Sequence, residues 1–228
     1  MSAGAQRDAG ARTGAAQAPR TRDADRSREA ILGAAERLFA DHGFDRTSMA
    51  DIGAAAGLSR QAPAYFFGSN ERLHVAVLER VFAARQEATA AAFTPVHAWC
   101  ERGGDLRAAL TIATHGYLAF LLNRPAFTKL LLREDLDRTG RLQAARREST
   151  AMQDAFAAIK AATNAEFDVD DAVLLYVGLT YSPVAHAPTF LASLGRDLTD
   201  RATRDAHVAF VVDQLSRLLR VASSTRSP

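Results

Sequence analysis

The chain has a single cysteine, Cys100, among its 228 residues. A lone thiol excludes an intrachain disulfide framework and suits a reducing compartment. A structural zinc ion needs about four protein ligands. His97 and Glu101 flank Cys100 in sequence, but no second Cys/His cluster accompanies them, so no metal is expected. Lysine is nearly missing as well, with Lys129 and Lys160 the only two. No apolar run reaches the roughly 18 residues that a membrane-spanning helix requires. The Ala/Arg/Gly-rich start lacks the apolar core of a signal peptide, which makes the cytoplasm the expected location. There is no glycine-rich phosphate loop, nucleophile elbow or His-Glu-x-x-His pair. Acidic pairs such as Glu134/Asp135 and Asp170/Asp171 are neighbours in sequence and point in different directions on a helix, which suits solvated faces. No catalytic residue and no cofactor is therefore expected.

What is present is helical. Apolar residues make up 48 % of the chain, enough for a sizeable core, and the formal net charge is only +2. Positive charge is concentrated at the start: residues 1–28 hold six arginines against three aspartates, and the remainder is close to balanced. Residues 1–24 carry no apolar periodicity and should be a mobile, Arg-rich leader. Asp25 or Ser27 can then cap a helix whose Ile31, Ala35, Leu38 and Phe39 share one face, with Gly43 ending it. A short second helix follows Thr47 and Ser48, with Asp51 placed to complete a capping box. Ser59 can cap a third helix, and a fourth runs from about Glu71 through Phe82. The stretch "FTPVHAWCERGG", residues 93–104, reads as a link. Beyond it, Asp105 and Pro125 open helices, and further helices span residues 141–162, 168–182 and 199–221. In the last of these Ala206, Phe210, Leu215 and Leu218 share a stripe. With no convincing strand, the expected fold is all-α with about nine helices.

Residues 48–67 meet the demands of a helix-turn-helix: a short helix, a glycine turn at Gly57, and a second helix with one packed and one exposed face. Ile52, Leu58, Pro63 and Phe66 fall at inward positions. Arg60, Gln61, Ala64 and Tyr65 share the opposite face. Arginine takes guanine bidentately or grips phosphate, glutamine pairs with adenine, and a tyrosine hydroxyl donates to phosphate. Pro63 is the anomaly. If Ser59 caps the helix, the proline costs an early backbone bond, so either the regular helix starts later or its first turn is loose.

The stretch "AILGAAERLFADHGFDRTSMADIGAAAGLSRQAPAYFFGSNERLHVAVL", residues 30–78, resembles the DNA-binding domain of the TetR family of transcriptional regulators. The resemblance rests on the "AAERLFADHGF" first helix, "TSMADI", the "AGLS" turn, "YFF" and the "S-x-E-x-L" start of the linking helix. It implies a three-helix DNA-binding head at residues 25–85 and a larger ligand-binding and dimerisation bundle at residues 86–228. It further implies a homodimer on double-stranded DNA, with third helices in major grooves about 34 to 36 Å apart. A small-molecule effector of unknown identity would release it. By position, Thr47 and Ser48 would touch phosphate, while Arg60, Gln61, Ala62, Ala64 and Tyr65 would read or grip DNA. Two departures stand out: many relatives have Gly-Thr at Gln61-Ala62 and a phosphate-holding lysine at Asn70.

The second half offers polar-tipped aromatics suited to a ligand cavity: Trp99, His115, Tyr117, Phe120, Phe127, Met152, Phe156, Tyr176 and Tyr181. The segments "VDDAVLLYVGLTYS" and "AHVAFVVDQLSRLL" are apolar around more than half their circumference, which suits a four-helix dimer contact. The expected function is a repressor released by an effector. The alternatives are an activator of the same fold, or a small-molecule-binding helical dimer with weakened or altered DNA binding.

Overall fold

The computed structural model describes residues 18–137 and 150–221. These form nine α-helices and one short π-helical turn, with no strand among the described residues. The helices are α1 (Ala18–His42), α2 (Met49–Ala55), α3 (Ala62–Phe67), α4 (Asn70–Arg102) and α5 (Leu106–Asn123), then α6 (Pro125–Asp137), α7 (Ala151–Thr163) and α8 (Val169–Ala185). The π-helical turn Ala187–Leu191 and α9 (Arg201–Val221) complete the set. The all-α expectation holds. The first nine residues of the helix expected at 141–162 and residues 1–17 of the leader lie outside the described residues.

The head is built as the periodicity of α1 requires. Ile31, Ala35 and Phe39 are fully buried, together with Ile52 of α2 and Leu73, Val77 and Leu78 of α4. Gly43 ends α1 with φ of 82°, and its N–H donates to the Phe39 carbonyl at 2.9 Å. The start of α1 differs from expectation. The helix begins at Ala18 and runs through Asp25 and Ser27, and Ser27 Oγ donates back to the Asp23 carbonyl. Alanine and arginine are good helix formers, and the Asp23/Arg26 pair lies one turn apart, so residues 18–24 extend the helix without an apolar stripe.

Helix α4 also exceeds its expected length. Its 33 residues span about 50 Å. It passes through Pro95, and the break falls at Gly103, whose N–H donates to the Trp99 carbonyl at 2.8 Å. A proline inside a helix costs about 3 kcal/mol. Here Phe93 and Val96 on either side of it are fully buried, and their burial holds the helix together. Residues 93–102 are therefore the last three turns of a shared rod, and only Gly103-Gly104 of the expected link breaks the helix. Leu73, Val77 and Leu78 at its head end and Ala92, Phe93 and Val96 at its body end belong to one continuous apolar core, and Thr89 is buried between them.

The body touches the head through α6. Arg133 donates from Nε to the Ala40 carbonyl at 2.8 Å and from a terminal nitrogen to the Asp41 carbonyl at 2.6 Å. These are the carbonyls that the end of α1 leaves without helical partners. Lys129 pairs with the Asp41 carboxylate at 2.7 Å and holds that carboxyl below its ordinary range. Glu134 reaches His74 of α4 at 3.2 Å, with both side chains almost wholly buried. The His74 ring in turn packs edge-on against Phe39 at 4.6 Å and Phe44 at 5.1 Å.

In α9 the buried stripe is Val208, Val211, Val212, Leu215 and Leu219, while Ala206 and Phe210 of the expected stripe are exposed and Leu218 is half-buried. The buried His207, hydrogen-bonded through Nε2 to the Leu179 carbonyl at 2.8 Å, fixes this rotation.

The Glu134/His74 pair carries a testable consequence. Removing one partner of a buried pair costs about 3 to 5 kcal/mol, whereas replacing both with apolar groups of similar volume is close to neutral. Glu134→Ala or His74→Ala should lower the urea midpoint by a corresponding amount, and the double change His74→Phe/Glu134→Leu should recover most of it. Single changes costing under about 1 kcal/mol would remove the pair from the account.

Candidate nucleic-acid interface

Helix α2 opens with the capping box expected from its sequence. The Asp51 N–H donates to Ser48 Oγ at 3.2 Å, and the Ser48 N–H donates to the Asp51 carboxylate at 3.3 Å. The Ser48 hydroxyl also donates to Asp51 at 2.6 Å, and these bonds hold the Asp51 carboxyl below its ordinary range. Gly57 then turns the chain with φ of 69°, and the Leu58 N–H closes on the Gly53 carbonyl at 3.0 Å.

Gly53 sets how closely α2 and the start of α3 approach. A Cβ there would lie 2.5 Å from the Ser59 carbonyl oxygen, 3.0 Å from Arg60 Cα and 3.2 Å from Pro63 Cδ. Only a glycine admits the following chain at this distance. This contact also explains Pro63. Ser59 does not cap α3. Instead the Ala62 N–H donates to the Ser59 carbonyl at 3.0 Å across a turn, and the helix begins at Ala62. Pro63 becomes its second residue, where the missing N–H sacrifices no helical bond. The later start also shifts the inward face. Pro63 and Phe67, one turn apart, are buried, while Phe66, expected inward, is only half-buried.

Ser48, Arg60, Gln61, Ala64 and Tyr65 are all exposed, Tyr65 at 85 %. Arg60 and Gln61 stand on the turn before α3 and not on its helical barrel, and Ala62 is half-buried. Two expected contact residues face inward. Thr47 is buried, and its hydroxyl donates to the Gly43 carbonyl at 2.7 Å, tying the α1–α2 loop to the helix end. Asn70 donates its side-chain amide to the Thr47 carbonyl at 2.9 Å, so it braces the same loop where a lysine would extend outward.

Arg28 escaped the sequence reading. Its guanidinium lies over the Phe67 ring at 4.4 Å and donates to the Phe66 carbonyl at 3.5 Å, pinning the end of α3 to α1. Its only sequence signal was its place in the arginine-rich opening of α1.

In the body, most of the expected aromatic residues form one cluster. Tyr117 stacks with Phe120 and lies 5.8 Å from Tyr176. Phe127 meets both Phe120 and Tyr181, and Phe156 meets Tyr176. Phe93 of α4, absent from the sequence-based set, joins at 5.4 Å from Tyr176. Met152 is buried in the same core. Trp99 and His115 stand apart. Trp99 donates its ring N–H to the Gly104 carbonyl at the α4–α5 corner, because the two-glycine turn needs a donor there. His115 faces Asp205 of α9 at 3.8 Å.

A capped short helix, a glycine turn and a following helix with an exposed Arg/Gln/Tyr surface define a helix-turn-helix protein of the DNA-binding class. Residues 31–77 match the family model described as "Bacterial regulatory proteins, tetR family". The chain is 24 % identical over 210 residues to the HTH-type transcriptional repressor NicS of Pseudomonas putida, covering 88 % of this chain and 96 % of that protein. A tetR-family transcriptional regulator from Streptomyces coelicolor shares the fold with a TM-score of 0.60 at 21 % identity, covering 89 % of this chain and 84 % of that one. One from Haemophilus influenzae does so with a TM-score of 0.61 at 16 % identity, covering 87 % and 98 %. Residues 31–77 thus carry a TetR-family DNA-binding domain, and regulators of that family bind DNA and dimerise. No helix among the described residues is long and apolar enough to cross a membrane, and no group of three or more metal-ligating side chains occurs among them.

The Gly53 contact generates a prediction. Gly53→Ala should push the α2 and α3 backbones apart, at an overpacking cost of about 1 to 3 kcal/mol, and abolish specific DNA binding while far-UV helicity is retained. Binding equal to that of the unchanged protein in a gel-shift titration would show that the close approach is not needed.

Proposed function

We propose that the chain is a repressor that reads a pseudo-palindromic operator as a homodimer and is released by a small molecule bound within the aromatic cluster of the body. The observation that carries this reading is the exposed set Arg60, Gln61, Ala64 and Tyr65 on a head whose inner face is rigidly packed. Arg60 and Gln61 supply direct base readout, and the Tyr65 hydroxyl with Ser48 supplies phosphate contacts that fix register. Repression is the activity in the printed name of the Pseudomonas relative.

Dimerisation is supported by the outer sides of α8 and α9. Leu174 and Phe210 stand exposed there, and Phe190 and Leu194 flank them on the adjoining turn. A groove of about 440 Å³ runs between these elements, lined by Gly178, Pro183, Phe190 and Leu194 among others. Pairing α8 and α9 with their symmetry mates forms a four-helix contact that covers this apolar surface. Effector binding reaches the head through α4, whose Phe93 belongs to the cluster and whose Leu73 belongs to the head core. Small shifts of such a rod change the spacing of the two heads.

A second reading is favoured by the inward Asn70 and the near-balanced charge outside the N-terminal 28 residues: a ligand-binding dimer whose DNA affinity is weakened. Binding to the promoter region beside its own gene, titrated against salt, separates the two. The repressor reading expects specific binding at moderate salt. Arg60→Ala should then weaken it by about 1 to 3 kcal/mol and relax preference at one base position. Weak, sequence-independent binding throughout the titration would favour the second reading.

A further inference from the structure

The aromatic cluster holds buried polar atoms whose hydrogen-bonding capacity its packing leaves partly unused. Tyr117 and Tyr176 are almost wholly buried, on α5 and α8, with ring centroids 5.8 Å apart. The Tyr181 hydroxyl and Arg85 Nε are buried and make no hydrogen bond among the described residues, while the Tyr176 hydroxyl lies beside Thr114. An unmade bond on a buried polar group costs about 1 to 3 kcal/mol, and native cores seldom hold several in one place. Arg85 is the cationic member of the group. It lies on α4, its guanidinium stands 5.7 Å over the Phe82 ring and beside the Tyr117 hydroxyl, and no carboxylate pairs with it among the described residues.

We infer that this node recognises an aromatic or otherwise apolar monocarboxylate, with Arg85 taking the carboxylate and the rings of Phe93, Phe120, Phe127 and Phe156 enclosing the apolar part. The inference rests on the effector reading given above and names the chemical class of the effector. Three features agree with it. A guanidinium offers two parallel donors to a carboxylate, and in an apolar surround such a charge-assisted pair is strong. The phenols are donors and stay so, because burial pushes the Tyr117, Tyr176 and Tyr181 hydroxyls up, Tyr181 to about 12. A cationic ligand would meet Arg85 with like charge, and a neutral one would offer that guanidinium no counter-charge. Arg85 also lies on the rod that enters the head, so an anion drawn to it acts directly on α4.

The test uses the full-length protein and isothermal titration with benzoate, phenylacetate and 3-phenylpropionate, each beside its primary amide and the matching amine. At least one acid should bind, and about tenfold or more tightly than its amide, with no binding of the amine. Arg85→Gln should bring acid and amide to within about twofold of each other, and Arg85→Lys should keep part of the preference. The acid/amide comparison on the unchanged protein stands even if the variants fail to fold. Equal or tighter binding of the amides or amines overturns the carboxylate assignment and leaves the cluster as an effector site. No binding by any acid, amide or amine overturns the assignment together with the effector site, while the DNA-reading head is tested separately by its salt titration.

Discussion

The structure depends on α4 running through the one apolar core that head and body share. Its first turns, which bury Leu73, His74, Val77 and Leu78, meet α1 and α3, and its later turns bury Ala92, Phe93 and Val96 in the body, where it meets α5 and α7. A helix shared in this way cannot move at one end without work at the other, because packed interiors shift between discrete arrangements and do not deform smoothly. The Glu134/His74 pair tightens the arrangement by placing a buried carboxylate of α6 on the first turns of α4, next to the Arg133 clamp on the end of α1. Head and body therefore meet through directional polar bonds as well as apolar contact.

The two functional regions follow opposite physical rules. The surface proposed to face DNA is small, exposed and rigidly backed, with Gly53 and Pro63 letting two backbones approach closely. The body cluster is aromatic and largely buried, with the Tyr181 hydroxyl and Arg85 Nε lacking a partner among the described residues. A preformed surface suits reading a stiff polymer. Buried donors without partners suit a ligand able to satisfy them.

Much of the head was legible in the sequence because its signals are local. The Ile31/Ala35/Phe39 period, the Ser48/Asp51 box and the glycines at 43 and 57 act within a few residues, and each does in the structure what its spacing implies. Helix limits that depend on distant packing were misread. Pro95 looked like a break until Phe93 and Val96 proved buried on both sides, and α1 extended back to Ala18 on propensity alone. Side-chain direction was the least legible. Nothing local in Thr47 or Asn70 says that both are consumed in bracing the α1–α2 loop, and Arg85 is an ordinary helical arginine until Tyr117 is brought against it from another helix. Trp99 and His115 have the composition of pocket residues, yet they sit at a helix corner and beside α9 because composition carries no address.

The chain thus carries a TetR-type head whose turn is shaped by a proline packed close to a glycine, and one continuous helix runs from that head into the body. The central claim is that two such heads, held at a spacing set by α4, read DNA together. Hydroxyl-radical footprinting of the promoter beside its own gene tests this most directly. The account predicts two protected half-sites whose centres lie one helical turn apart, about 34 to 36 Å along the duplex. A single protected half-site, or protection that does not depend on sequence, would contradict it.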